Sequence, residues 1–343
     1  MTISHEDADM TQHPSQDTLG LLDRPIFGRS RLSWWMLLYA LVLLFIIFTR
    51  LWNLSPRGYS HDESIHAWEA WKLVTGQRYV HSPTYHGPFL YHFTALIFAL
   101  FGHNDYTGRL SPALFGIALT ILPLLLIKWL GRRGVLLATL LMAVSPVMMH
   151  RSRFLRHDPY VAVFNLMLFI ALLRYLDRRQ SKDLYWAAAL VALGFAAKET
   201  TFITYFIFGT FLLYYYLFDV VKYIERPWGE GALLDTLFTL ILGPFLFLYL
   251  VFQRLTGRQR PETDTAAFDL LIVLGTLILP MAAPFVIRAL GRDPMDYSAQ
   301  GLLFSGAIFM LIFGLLAVVG ILWDWRRWLI CAGIAAGIFV PLF

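Results

Sequence analysis

Charge is what this chain has least of. Only 15% of its 343 residues are Asp, Glu, Lys or Arg, and 58% are hydrophobic, whereas a soluble domain carries about 25% charged residues and about 45–50% apolar ones. That balance excludes an ordinary soluble domain and indicates an integral membrane protein. Cysteine is nearly absent: the lone Cys331, inside an apolar run, rules out an intrachain disulfide and a cysteine-ligated metal site. No P-loop, GxGxxG or HExxH occurs, so no nucleotide cradle and no zinc-protease motif is present. The formal net charge is +5, but the Lys and Arg residues sit in short clusters between apolar runs, as loops flanking membrane spans do. Nucleic acid is therefore not an expected partner.

What the chain has is long apolar runs. The polar segment 1–33 predicts a loose cytoplasmic tail. The first run, Trp34 to Trp52, covers roughly 28 Å as a helix, close to the hydrocarbon thickness. Arg24, Arg29 and Arg31 precede it and predict an inside N-terminus, which leaves the loop 53–109 exoplasmic. In that loop Ser60 and Glu63 fit a capping box. Ile65, Trp68, Trp71 and Val74 then share one face of an amphipathic helix, expected on the membrane surface with Trp68 and Trp71 at headgroup level. The apolar run 88–101 is too short to span and reads as re-entrant or interfacial. Further spans are expected near 110–130, 134–150 and 159–176. The long run 184–218 should divide at Lys198-Glu199, and four more spans follow near 233–253, 266–290, 301–322 and 327–343. The expectation is an all-α, polytopic transmembrane bundle of about ten spans with exoplasmic juxtamembrane helices. The final run reaches Phe343 without a polar tail, which predicts a longer parent chain.

This topology places three charged groups on one face: His61-Asp62-Glu63, the stretch Arg153 to Asp158, and Lys198-Glu199. Charges at membrane depth are costly and point to function. Each also has a structural reading: Glu63 completes the capping box, Asp158 before Pro159 is a good helix start, and Lys198 can snorkel. The Arg151–Arg156 cluster falls on the outer face, against the positive-inside rule. Eight of the ten histidines lie between 61 and 157, which leaves a divalent metal possible although no strong ligand motif is present.

These motifs, in this order over roughly residues 34–218, resemble the GT-C membrane glycosyltransferases, in the branch of the protein O-mannosyltransferases and the lipid A aminoarabinose transferase. The similarity is greatest to the prokaryotic group called "flippase activity-associated". It is carried by Asp62-Glu63 after the first span, His86-Gly87-Pro88-Phe89-Leu90, Arg109-Leu110, Ser152-Arg153-Phe154-Leu155-Arg156-His157-Asp158, and Ala197-Lys198-Glu199-Thr200. His86 and Gly87 depart from the family's residues there, and nothing after 219 matches by residue.

The resemblance implies a catalytic module over 34–218, with 219–343 as added helices, and a sugar transferred from a polyprenyl-phosphate donor to an exoplasmic protein, lipid or glycan. Under it Asp62 is the base, Glu63 is catalytic in orienting the acceptor, and Asp158 orients Arg156 or His157 and assists catalysis. The donor phosphate falls to Arg153, Arg156, His157, Lys198 and His86, and the acceptor to His61 and Glu199. Partners are the donor, membrane lipids and the acceptor, and no cofactor is required. A lipid-linked glycan flippase and a metal-dependent oligosaccharyltransferase-like enzyme are the alternatives.

Overall fold

A computed structural model describes residues 24–26, 32–82, 86–221, 232–257 and 264–343; most of the tail expected over 1–33 lies outside them. The described residues are helical, with one isolated bridge, Pro25 to Ser33. Thirteen helices are described: α1 (Trp34–Leu51), α2 (His61–Val74), α3 (Phe89–Phe101), α4 (Asp105–Ile121), α5 (Ile127–Val144), α6 (Pro146–Arg151), α7 (Asp158–Arg178), α8 (Ser181–Ala197), α9 (Thr201–Val221), α10 (Ala232–Leu255), α11 (Ala266–Ile278), α12 (Ala283–Ala289) and α13 (Ala299–Leu342). Six helical stretches are long and apolar enough to cross a membrane. The chain is an all-α polytopic bundle.

Local chemistry sets the breaks. The 40-residue stretch Asp105–Val144 is interrupted at Gly131, whose φ of +66° favours glycine, so α4 and α5 pass in opposite directions. Within α13, Asp324 leaves helical geometry (φ −159°, ψ 97°) and divides 44 residues into the two late spans that the sequence predicts. Lys198-Glu199-Thr200 separates α8 from α9, as expected from the length of that run. Pro280 and Pro284 bring a short 3-10 turn between α11 and α12. The expected re-entrant segment is α3, 13 residues long.

Cross-helix bonds define the two faces. At the Asp62 face, Arg50 near the end of α1 donates to Ala143 O and Met142 O at the end of α5 (2.9 and 3.1 Å). The start of α4 meets the same end of α1 through Tyr106 OH to Leu51 O, 3.3 Å. At the other face, Trp35 donates to Arg132 O (2.9 Å) and Lys128 pairs with Asp177. Tyr216 near the end of α9 lies 5.4 Å from Phe268 at the start of α11, so those ends share a face. α10 covers the run expected as a span near 233–253 and lies along α9 through Tyr214 OH to Leu240 O, 3.2 Å.

The core is a continuous cluster joining α2, α3, α7, α8, α9, α11 and α13. Ala187, Ala188, Ala196 and Ala197 of α8 are fully buried, and small side chains there let α7 and α13 approach closely. On α2 the buried face is Glu63, His66, Ala67 and Ala70, packed on α3, while Trp68 is exposed and stacks on Trp71 at 4.8 Å. The helix therefore packs through its small and polar residues, and Trp68 of the apolar stripe read from the sequence faces outward.

Candidate active site

The site is built on the start of α2, where the expected capping box is present. Ser60 Oγ accepts from Glu63 N at 3.5 Å and Glu63 Oε2 accepts from Ser60 N at 3.0 Å. The same carboxylate does more. Its two oxygens receive Arg109 Nε (2.7 Å) and Nη2 (2.9 Å), and Oε1 also receives Leu155 N at 3.3 Å. Arg109 spends its remaining N–H groups on Leu54 O, Arg57 O and Gly58 O, at 2.9, 2.9 and 3.0 Å. All five Arg109 N–H groups and both Glu63 oxygens are paired, and Ser60 N and Leu155 N add two further donors to the carboxylate.

Glu63, expected at the acceptor, turns its carboxylate inward. It is fully buried, and its oxygens hold α4 through Arg109 and the 152–157 loop through Leu155 N. Burial alone would raise its pKa; Arg109 and the backbone N–H groups of Ser60 and Leu155 outweigh that and hold it below the usual carboxylate range. From the sequence Arg109 is assigned no site role and enters only in the Arg109-Leu110 motif.

With Glu63 anchored, its neighbour Asp62 points outward, 45% exposed, and meets Arg156 Nη2 at 3.1 Å. The start of α2 and the 152–157 loop, distant in sequence, are thus joined. Beside them Asp158, expected to orient Arg156 or His157, instead holds Arg151 through Oδ2 (2.9 Å) and Lys198 through Oδ1 (3.3 Å). Arg151, which the sequence reading did not name as a site residue, enters the site here. Lys198 reaches it from the break after α8.

Arg153, expected at the donor phosphate, is held by backbone. Its guanidinium donates to Thr49 O, Trp52 O and Asn53 O at 2.9, 2.9 and 2.8 Å, and so satisfies the open carbonyls at the end of α1.

His157, also expected at the donor phosphate, is almost wholly buried, with Nε2 bonded to Gly87 O at 3.2 Å. Its ring makes edge contacts with His66 (4.9 Å) and His86 (5.1 Å). Burial, then the neighbouring His66 and His86, push its pKa well below the ordinary imidazole value. His66, bonded to Tyr91 OH at 3.3 Å, is lowered to about 4, first by burial and then by Arg156. Among the described residues no three His, Cys, Asp or Glu side chains converge as metal ligands.

His86 bonds both oxygens of Glu199, at 2.9 and 3.0 Å, and adopts φ +71°, a conformation uncommon for a non-glycine residue and often found at ligand sites. Next to it Gly87 lies against the C-terminal turn of α8, where a Cβ would collide with the carbonyl of Ala196. The His86-Gly87 departure from the family pattern thus has a local reason: the glycine lets the 86–88 segment approach the Lys198 turn. His61, the first residue of α2, is exposed beside Asp62.

Residues 85–247 match the model of the family described as dolichyl-phosphate-mannose-protein mannosyltransferase, slightly under half of the chain. Over this stretch the chain is mannosyltransferase-like. The matched stretch contains His86, Arg151, Arg156, Asp158, Lys198 and Glu199, and it leaves Asp62 and Glu63 outside. No curated protein and no solved structure matches the chain.

Proposed function

We propose that this glycosyltransferase moves a sugar from a polyprenyl phosphate to the hydroxyl of an exoplasmic acceptor, with 34–218 as the catalytic module. The observation that carries the reading is the Asp62–Arg156 pair at 3.1 Å. It sets a half-exposed carboxylate beside a cation, next to a second carboxylate, Asp158, that holds two more cations. Inverting or retaining, the chemistry needs a base for the acceptor hydroxyl and positive charge for the departing phosphate.

In this mechanism the Asp62 carboxylate takes the acceptor proton as the acceptor oxygen bonds to the anomeric carbon. The bond from that carbon to the phosphate oxygen breaks, and the phosphate leaves with the electron pair. Arg156, Lys198 and Arg151 neutralise it, Arg through paired N–H groups and Lys as a point charge. Asp158 holds Arg151 and Lys198 in position until the phosphate arrives. His86, fixed by Glu199, offers a further donor, and His61 lies at the acceptor side of Asp62. The lipid donor itself is consistent with the family's printed description, which names a dolichyl-phosphate sugar. The outer placement follows from the basic N-terminal flank and the positive-inside rule.

The test is transfer of radiolabelled sugar from a polyprenyl phosphate to acceptor by the purified chain in lipid. Asp62→Asn should abolish transfer while donor binding persists. Full transfer by Asp62→Asn at equal protein level sinks the base assignment, and absence of transfer by the unaltered protein with every polyprenyl-phosphate sugar tried sinks the donor class.

A further inference from the structure

The arginines at the Asp62 face divide into two sets. Arg109, Arg151 and Arg156 each meet a carboxylate, as does Lys198. Arg50, Arg57 and Arg153 meet none among the described residues.

These three are neighbours. Arg50 Nη1 donates to Thr49 Oγ1 and Arg153 Nη1 donates to Thr49 O, both at 2.9 Å, so two guanidinia converge on one residue. Arg50 is completely buried and its Nε has no hydrogen-bond partner. The guanidinium of Arg57 lies over the ring of Phe154 at 5.7 Å, and the His150 ring packs on the same phenylalanine at 5.5 Å.

Arg57, His150 and Arg153 line one cavity of 370 Å³ between the 54–57 loop and α6, with Pro56, Pro146 and Met149 as its apolar wall. No carboxylate lines it. The remaining cation there, Arg109, is already neutralised by Glu63. Like charges gathered without a counter-charge repel one another, and in a partly desolvated setting the repulsion is poorly screened. An anion relieves it, and phosphate suits the guanidinium geometry. The cavity sits at the end of α1 and α5, whose outer faces below it are apolar and exposed at Phe48, Leu141 and Val144.

We propose that this cavity is a phosphate-ester site, separate from the Asp62–Arg156 centre and on the other side of the 152–157 loop, that takes the headgroup phosphate of an anionic membrane lipid. Arg57 and His150 are its adjustable contacts, prearranged on Phe154, and Arg153 supplies fixed charge from the end of α1. The lipid chain lies along the outer faces of α1 and α5. The site also gives the Arg151–Arg156 cluster part of its reason to stand against the positive-inside rule: of its members only Arg153 is left without a carboxylate, and the lipid supplies the counter-charge.

The experiment uses the full chain in nanodiscs of phosphatidylcholine doped with phosphatidylglycerol, released into the gas phase and weighed with its retained lipids. Unaltered protein should keep phosphatidylglycerol. Arg57→Gln combined with His150→Asn, both exposed side chains with no hydrogen bond to the fold, should retain it about ten-fold less, as expected for loss of charge-assisted bonds. Lys72→Gln, whose lysine pairs with Glu69 on the same face, is the control and should retain it fully. A second arm measures inorganic phosphate binding alone. Phosphate bound by the unaltered protein and lost in the double variant, with phosphatidylglycerol retention unchanged, assigns the site to a soluble phosphate ester and overturns the lipid occupant. Equal retention and equal phosphate binding in all variants overturns the site itself. Because neither arm measures sugar transfer, its outcome is independent of the catalytic reading.

Discussion

Arg109 and Glu63 form a buried, fully satisfied ion pair, with Nε to Oε1 at 2.7 Å and side-chain exposures of 2% and 0%. Two helices and two loops depend on it, and Asp62 is aimed by it. Arg109→Met leaves a buried carboxylate without its cation, and Glu63→Gln leaves a buried guanidinium without its anion. Each should lower stability by about 3–5 kcal/mol, seen as a lower unfolding midpoint in detergent. Arg109→Met with Glu63→Leu should recover part of that loss. A single variant that unfolds like the unaltered protein contradicts the anchor role.

Arg153 and Arg156 are three residues apart and should respond oppositely. Arg156→Ala should weaken donor binding about ten-fold, as expected for one charge-assisted contact to phosphate, with little change in the unfolding midpoint. Arg153→Ala exposes three carbonyls at the end of α1 and should lower the midpoint while leaving donor affinity unchanged. Titration of donor analogue against both variants, with melting curves beside it, separates them.

Gly87→Ala should fail where a surface glycine change would not. Its Cβ meets the Ala196 backbone, which cannot yield as a flexible side chain can. Either the 86–88 segment or the Lys198 turn must move, and overpacking of this kind typically costs about 1–3 kcal/mol. Transfer should fall together with stability. Gly58→Ala, where nothing lies within 4 Å, is the comparison and should behave normally.

His66 gives the fold a pH dependence. It faces Tyr91, His157 and His86 from neighbouring segments and Asp62, Glu63 and Arg156 at the site edge. Its folded pKa of about 4 lies below the ordinary 6.5, so the unfolded chain takes up the proton first. Stability is therefore full above pH 6.5 and falls as the pH drops toward 4, by on the order of 3 kcal/mol at pH 4. Glu63, held below the usual carboxylate range, adds a further loss below the ordinary Glu pKa of about 4.3. His66→Gln should flatten the upper part of this decline. An unchanged slope between pH 6.5 and 4.5 in that variant assigns the decline to other groups.

The bundle was legible because length and hydropathy are local. The break at Lys198-Glu199, the short helix over 89–101, the divided final run and the Ser60–Glu63 capping box all follow from how far an apolar helix can extend and which side chains close its ends. The grouping of Asp62, Arg156, Asp158 and Lys198 on one face follows from the alternation of spans.

What only the tertiary structure decided is which charge meets which. Sequence places Glu63 beside Asp62 as equals, yet packing against α4 sends one carboxylate inward to Arg109 and leaves the other facing Arg156. It lists Arg151, Arg153 and Arg156 as one cluster, yet one turn of chain directs them to Asp158, to the carbonyls of α1 and to Asp62. Ion pairing depends on side-chain direction and on partners brought close by folding, and neither is encoded at the spacing where hydropathy is read. The sequence by itself determined a membrane bundle with its chemistry at one end; the folded chain determined which of those charged groups support the site and which face it.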